Sequence, residues 1–497
     1  MKYYLLAAIW TFPLFAWSQE TPLLNTYSLI AAEEDFDLLV SSLKEAHAGL
    51  YWYNSIAQFE SLVAVERAKL YEGMDSYAFF RIAAKIVAAT REGHCGIGSS
   101  RDVGQYFNQK SKILPIVVKV LDGKVYLLND LEGASTRGKV LTSINGDPIE
   151  DVLCTLFSYS AKYADGYIET GKIRFTIDYS GLAYHYADFY ENRESNILEL
   201  VDSETKEQSS LRVSSVSAAD YRMLDDAVER PGFNEPIALH LETSTKTATL
   251  AIHSFRHTYY DAEGDESLAF AVFKQKIDSA FALIKASKIQ NLILDIRNNT
   301  GGTEGYEDYV LSYLVDAPYT KYRYVQANAL SYSFLEHTQY NTPEGQREFE
   351  ESMREEFALQ EDGRFLRKAD FMLVAPPKGE PYLGKMFVLI SGKTYSGGSE
   401  FAALLKGNTE AVFVGEETAG GFYGQTSGFS LILTLPHTGT RIKIPLLKFV
   451  VNVEDDKIPM GRGVIPDYPV EPTFEQFTNR IDAAMAYTQA LIQREDE

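Results

Sequence analysis

The twelve residues Asn291-Leu-Ile-Leu-Asp-Ile-Arg-Asn-Asn-Thr-Gly-Gly302 constrain the fold more than any other stretch. Their apolar opening has the pattern of a buried strand. Polar residues and two glycines follow, so backbone N–H groups can approach a ligand closely at the strand's C-terminal end. A second stretch repeats the layout: Val388-Leu-Ile-Ser-Gly-Lys-Thr-Tyr-Ser396-Gly-Gly-Ser399-Glu-Phe-Ala402 reads as a strand, a turn and a helix start. A serine in such a turn sits among unpaired N–H groups able to stabilise an oxyanion. By residue type alone Ser396 reads first as a plain helix N-cap, a role for which Ser399 competes. Ser399 is expected to tolerate alanine.

Around these two turns, strands and helices alternate. Strands are expected at 247–252, 291–296, 386–390 and 411–415, and helices at 266–286 and 398–406, the first striped with Phe270, Phe273, Ile277, Phe281 and Ile284. This predicts an α/β core over 237–475. A charged and aromatic insertion at 304–384 interrupts it, expected as a part-helical lid or rim, and a C-terminal helix is expected over 476–497. Residues 19–100 read as a helical segment, from the spacing of Phe36, Leu39, Val40 and Leu43 and of Phe79, Ile82, Ile86 and Val87. Its period ends in a glycine-flanked turn holding Glu92, His94 and Cys95. Residues 101–236 read as a small β-rich module. Strands are expected there at 114–120, 125–128 and 140–144, then the turn Asn145-Gly146-Asp147-Pro148 and a helix over 149–156.

A chain of 497 residues is too long for one compact core, so a multidomain α/β protein is expected. Hydrophobic residues at 45% and aromatics at 13% exclude a disordered chain. With 47 basic against 69 acidic residues and no basic cluster, nucleic acid and anionic membrane are poor partners. Residues 1–18 carry Lys2, a short apolar run and Ala16-Trp17-Ser18. That is the layout of a signal peptide, with the mature chain beginning at Gln19 in the periplasm or outside a bacterial cell. A membrane anchor is the alternative, but the run is short, and no other approaches the roughly 20 apolar residues of a span. No membrane insertion is therefore expected after signal removal. Cys95 and Cys154 are too few for a disulfide framework. One His–Cys pair does not make a zinc site, no phosphate-binding glycine loop occurs, and no cofactor is expected. A Cys95 nucleophile activated by His94 is disfavoured, because neighbouring side chains in an extended turn diverge.

A third segment, Val414-Gly-Glu-Glu-Thr-Ala-Gly-Gly-Phe-Tyr-Gly424, and a fourth, Gly463-Val-Ile-Pro-Asp467, complete a set. Together the four resemble the tail-specific (C-terminal-processing) and tricorn-like serine proteases, in which a "D-x-R-x-N-x-G-G" strand precedes the nucleophile turn, then "V-G-E-x-T-x-G" and "G-V-x-P-D". The resemblance is close over 247–470. It implies a ClpP/crotonase-like core, and it makes the β-rich module, with its Ile144-Asn145-Gly146 turn, PDZ-like. Ser396 matches the nucleophile. Gly397 and one of Gly301 and Gly302, with Gly302 preferred, match the oxyanion hole. In the tail-specific branch the base is a lysine, but its position here is Gly421. In the tricorn-like branch it is a histidine ahead of the PDZ-like domain, which Glu92-Gly-His94-Cys-Gly96 matches, so His94 is the implied base. Two departures follow: the serine expected before that histidine is Gly93, and the glutamate expected before "G-V-x-P-D" is Met460.

The resemblance thus implies an exported serine peptidase, free of cofactor, that cuts extended or C-terminal segments of peptides or proteins. The alternatives are a catalytically inactive peptide binder of the same fold and a non-proteolytic serine hydrolase. It also implies that His94 meets Ser396 in a cleft between domains, with activity rising through a group titrating near roughly 6.5.

Overall fold

A computed structural model describes residues 24–230, 232–260, 264–372 and 374–496. The signal peptide expected at 1–18 lies outside the described residues. Three helices lead: α1 (Leu29–Ala46), α2 (Ile56–Arg67) and α3 (Ser76–Ala88). Ser28 and Asp75 cap the first and third, and Ser55 forms a reciprocal capping box with Gln58 on the second. The predicted stripes of α1 and α3, Phe36, Leu39 and Leu43 with Phe79, Ile82 and Ile86, are buried. They join the large core that also lies under the central sheet. After α3 the chain turns and enters a three-residue strand, β1 (Gly96–Gly98).

The next module has its own core, with Ile113, Leu127, Leu141, Leu198 and Tyr221 at its centre. Its sheet runs β6 (Gln208–Ser214), β5 (Ser195–Val201), β4 (Val140–Ile144), β3 (Lys124–Leu127) and β2 (Val118–Leu121), antiparallel throughout. The single strand expected at 114–120 is broken, because Pro115 has no N–H to give a ladder. Asn129 bridges the gap, accepting from Val117 N at 2.8 Å and donating to Pro115 O at 3.0 Å.

The central sheet has the order β7 (Ile237–Glu242), β8 (Thr247–Ile252), β9 (Asn291–Asp295), β11 (Lys385–Ile390), β12 (Val412–Gly415) and β15 (Tyr468–Pro469). Only the β7–β8 pair is antiparallel. Successive side chains of a strand face opposite ways, and here both ways are covered. Leu292, Leu294, Val388 and Ile390 pack in the large core with helices α4 (Glu266–Ala286) and α6 (Gly397–Asn408). Ile293, Phe387, Leu389 and Val414 pack on Ala484 and Ile492 of helix α7 (Ala483–Asp496). This mixed α/β arrangement is the one the apolar runs predict.

The insertion departs from a simple lid. After helix α5 (Tyr306–Leu311) its strand β10 (Tyr322–Ala327) enters a second sheet, burying Val325 and Ala327. The anchor of that sheet is β14 (Arg441–Val451), long enough to hold β13 (Gly424–Thr434) along one edge and two partners in tandem along the other. Those two are β10, opposite 448–451, and β1, opposite 441–443. The N-terminal segment is thereby stitched to the core at Gly96–Gly98, immediately after the glycine-flanked turn that holds His94.

Candidate active site

The turn between β11 and α6 is tied down residue by residue. Ser391 Oγ donates to Arg297 O at 2.6 Å and Thr394 Oγ1 to Ile296 O at 3.0 Å, which pins the turn to the end of β9. Ser399 Oγ donates to Thr394 O at 2.8 Å and accepts from Gly420 N at 3.1 Å. Ser399 is therefore a buried brace and not the tolerant helix-start residue expected, because alanine there would strand the Gly420 N–H. Ser396 is held at φ 54 and ψ −129, with no side-chain capping bond and its side chain partly open to solvent. A non-glycine residue in such a region costs roughly 1–3 kcal/mol, which the surrounding bonds must offset.

Two amides beside Ser396 are unused. The N–H groups of Gly302 and Gly397 meet no acceptor among the described residues, whereas Gly301 N donates to Asn299 Oδ1 at 2.9 Å. Of the two glycines offered by the sequence, Gly302 is thus the one with a free donor. Gly301 has φ 84, and a Cβ on it would come within 2.6 Å of Gly397 N, so only glycine lets the two loops approach.

The pairing of β1 with β14 sets Gly96 opposite Lys443 and delivers His94 to the nucleophile turn. His94 Nε2 stands 3.2 Å from Ser396 Oγ, a contact between residues 302 apart in sequence. Its Nδ1 lies 2.7 Å from Tyr395 Oη, and the two rings stack at 4.7 Å and 25°. Burial, with a smaller push from Lys443, lowers His94 to about 3, although part of its ring stays open. The imidazole is neutral across the ordinary range.

Two buried carboxyls hold the His94 turn. Asp165 accepts from Gly93 N at 2.8 Å and from Gly421 N at 3.1 Å, one oxygen to each. Glu92 accepts from Thr426 N at 3.1 Å. Burial pushes Asp165 up to about 7 and Glu92 well above its ordinary value, Asp165 adding to the latter. On the other side of the nucleophile turn lies a different cluster. Lys321, fully buried, pairs with Glu307, with Asp308 at 3.0 Å and with Glu400 at 3.8 Å. Glu400 also accepts from Tyr322 Oη at 3.0 Å and from Gln425 Nε2 at 2.7 Å.

The departures from the family pattern have a steric basis. A Cβ on Gly93 would sit 2.5 Å from Tyr395 Oη, so a serine there is incompatible with this tyrosine. A Cβ on Gly421 would lie 2.6 Å from Gly424 O, which leaves no room for a lysine. Met460 is 50% exposed. Cys95 is buried with its thiol pushed up to about 12 by burial, so it is no thiolate. Among the described residues no group of three or more His, Cys, Asp or Glu is placed to hold a metal. Sequence reasoning missed Tyr395 and Asp165. The paired glycines at 93 and 421 were the available signal, since two missing side chains imply that something else fills their space.

Residues 246–470 match the sequence profile of peptidase family S41. No curated protein matches the chain. Among solved structures, mature CPAF is 17% identical over 94% of this chain and 99% of its own, with a TM-score of 0.58, which is a likeness of fold. A putative peptidase from Parabacteroides merdae is 13% identical over 93% and 96%, with a TM-score of 0.47. The photosystem II D1 C-terminal processing protease is 14% identical over 89% and 93%, with a TM-score of 0.40.

Proposed function

Proceeding from a chain that belongs to peptidase family S41 through residues 246–470, we propose that it hydrolyses peptide bonds with Ser396 as nucleophile and His94 as general base. Neutral His94 Nε2 takes the Ser396 hydroxyl proton as Oγ bonds to the scissile carbonyl carbon. The carbonyl oxygen gains negative charge and is met by the N–H groups of Gly302 and Gly397, donors that cost no reorganisation at the moment of reaction. The imidazolium then gives its proton to the leaving amine, and water repeats the sequence to free the acyl group. The observation that carries this assignment is the 3.2 Å contact between His94 Nε2 and Ser396 Oγ. The strained Ser396 backbone supports it, since such strain concentrates at functional sites.

The substrate is an extended or C-terminal segment of a peptide or protein, bound by strand addition at the antiparallel module over 101–236, which we take as PDZ-like. The enzyme works outside the cytoplasm, as a mature chain starting at Gln19. Sequencing the N-terminus of the purified protein tests that, and an intact Met1 on membrane-bound material would refute it. For the chemistry, a fluorophosphonate probe should label the wild type on Ser396 alone. Ser396→Ala and His94→Ala should each lower peptide hydrolysis by several orders of magnitude with an unchanged thermal transition. Wild-type turnover in either variant would remove that residue from the mechanism, and a wild type that never labels would favour the inactive peptide binder.

A further inference from the structure

The mechanism above uses one nitrogen of His94 and leaves the other to be explained. For Nε2 to accept a proton, Nδ1 must carry the ring's hydrogen, and something must receive it. In a Ser–His–acid triad that receiver is a carboxylate. Here the atom at Nδ1 is the hydroxyl oxygen of Tyr395, 2.7 Å away, on the residue that immediately precedes the nucleophile. We propose that Tyr395 is the positioning residue of this peptidase, replacing the triad acid, and that Asp165 clips the histidine turn against it. The proposal rests on His94 being the base.

Three independent features support it. Tyr395 is fixed: its side chain is 2% exposed, stacked on His94 and met edge-on by Tyr163 at 5.6 Å. The absence of a side chain at residue 93 is a geometric requirement of this arrangement, because a Cβ there would collide with the hydroxyl. Asp165 then determines where the imidazole sits, since it binds Gly93 N and Gly421 N at once and so locks the turns before His94 and after Ser396 into one register.

The proton count is closed. Ser396 loses its proton to Nε2, the Nδ1–H remains on the ring, and Tyr395 neither gains nor loses one. The groups whose charge bears on the Tyr395 hydroxyl are Asp165 and Glu92, with Tyr163 and Tyr53 beside them, and Lys443 bears on His94. For the Tyr395 oxygen to accept from Nδ1, the tyrosine's own hydrogen must turn away from the imidazole. A neutral phenol holds the tautomer and the ring angle, which is why it positions the base without neutralising the imidazolium.

Tyr395→Phe deletes the hydroxyl and keeps the ring contacts, so it is the test. Peptide hydrolysis should fall by about 10²-fold in kcat with KM nearly unchanged. Nitrogen-15 NMR of His94 should show the hydrogen on Nδ1 in the wild type and a shift towards the Nε2–H form in the variant. Unchanged kcat together with an unchanged tautomer would overturn the proposal. The wild-type spectrum alone also decides it, should the variant fail to fold: a hydrogen resident on Nε2 rules Tyr395 out as acceptor. His94→Ala separates the two levels. If it silences the enzyme while Tyr395→Phe does not, only the positioning role falls; if His94→Ala keeps wild-type turnover, the base assignment itself fails.

Discussion

Two buried acidic clusters flank the nucleophile turn, and they meet the cost of burial in different ways. On the histidine side, Asp165 and Glu92 are met chiefly by backbone amides, those of Gly93, Gly421 and Thr426, with a weaker pull on Glu92 from Lys448. On the other side, Glu307, Asp308 and Glu400 gather around the ammonium of Lys321. Amides are partial charges, and burial still drives Asp165 up to about 7. The lysine side keeps its cation, because the acids around Lys321 outweigh its burial and hold it well above its ordinary value, although burial also pushes Glu307 up to about 8. The lesson is one of division of labour. The lysine cluster is a staple built around a full charge, joining α5 and α6, the helices that follow Gly302 and Ser396, whereas the histidine side is a set of clips built mainly from backbone amides.

Breaking the staple should have the largest effect. Lys321→Met leaves three buried carboxyls without a cation, and loss of one partner of a buried ion pair costs about 3–5 kcal/mol. Urea unfolding should show that loss, and a change below about 1 kcal/mol would mean that the cluster is already neutral.

The second experiment sharpens the contrast through pH. The folded chain keeps the Asp165 proton up to about 7, while the unfolded chain loses it near the ordinary 3.8. Across that window the folded state binds more protons, so this group lowers stability as pH rises, by at most about 1.4 kcal/mol per pH unit. His94 works the other way: lowered to about 3 in the fold, it takes up its proton first in the unfolded chain, and stability rises between about 3 and 6.5. The two slopes oppose one another from 3.8 to 6.5. In Asp165→Asn this group's share of the falling limb should vanish, so that stability climbs with pH relative to wild type, while Glu92 and Glu307 keep their own shares. The asparagine also places an N–H₂ against one of two amide donors, so activity should drop as well. Identical pH profiles for the two proteins would show that Asp165 is ionised throughout.

Smaller effects should come from the braces. Ser399→Ala strands the buried Gly420 N–H and should cost about 1–3 kcal/mol in chemical denaturation. Cys95→Ser should leave turnover unchanged, since its thiol has no part in the reaction, and a large loss of rate would reopen the thiol mechanism.

How far the sequence reaches can be seen in particular residues. The strands at 247–252 and 140–144 fall on the predicted residues because short runs of apolar and β-branched residues, free of glycine and proline, leave a chain little choice. The strand at 114–120 failed on a single proline, whose repair by Asn129 depends on a loop fourteen residues further on. Ser396, His94, Gly397 and Gly302 were named through the family resemblance of the motifs that hold them, and the fold brings all four to one place. Tyr395 stood in the quoted motif but was passed over, since a neighbour of the nucleophile is expected to point away from it. Asp165 left no local trace at all: its partners lie 72 and 256 residues distant.

The tandem pairing along β14 also bears on timing. The strand that holds the histidine in place is only three residues long, and its partner is made late, after Ser396. At roughly 5–20 residues per second, the ribosome takes about 20–70 s to travel from His94 to that partner. Throughout that interval the proposed base has no β14 to pair beside it, so the seating of His94 against Ser396 waits until residues 441–443 have been made.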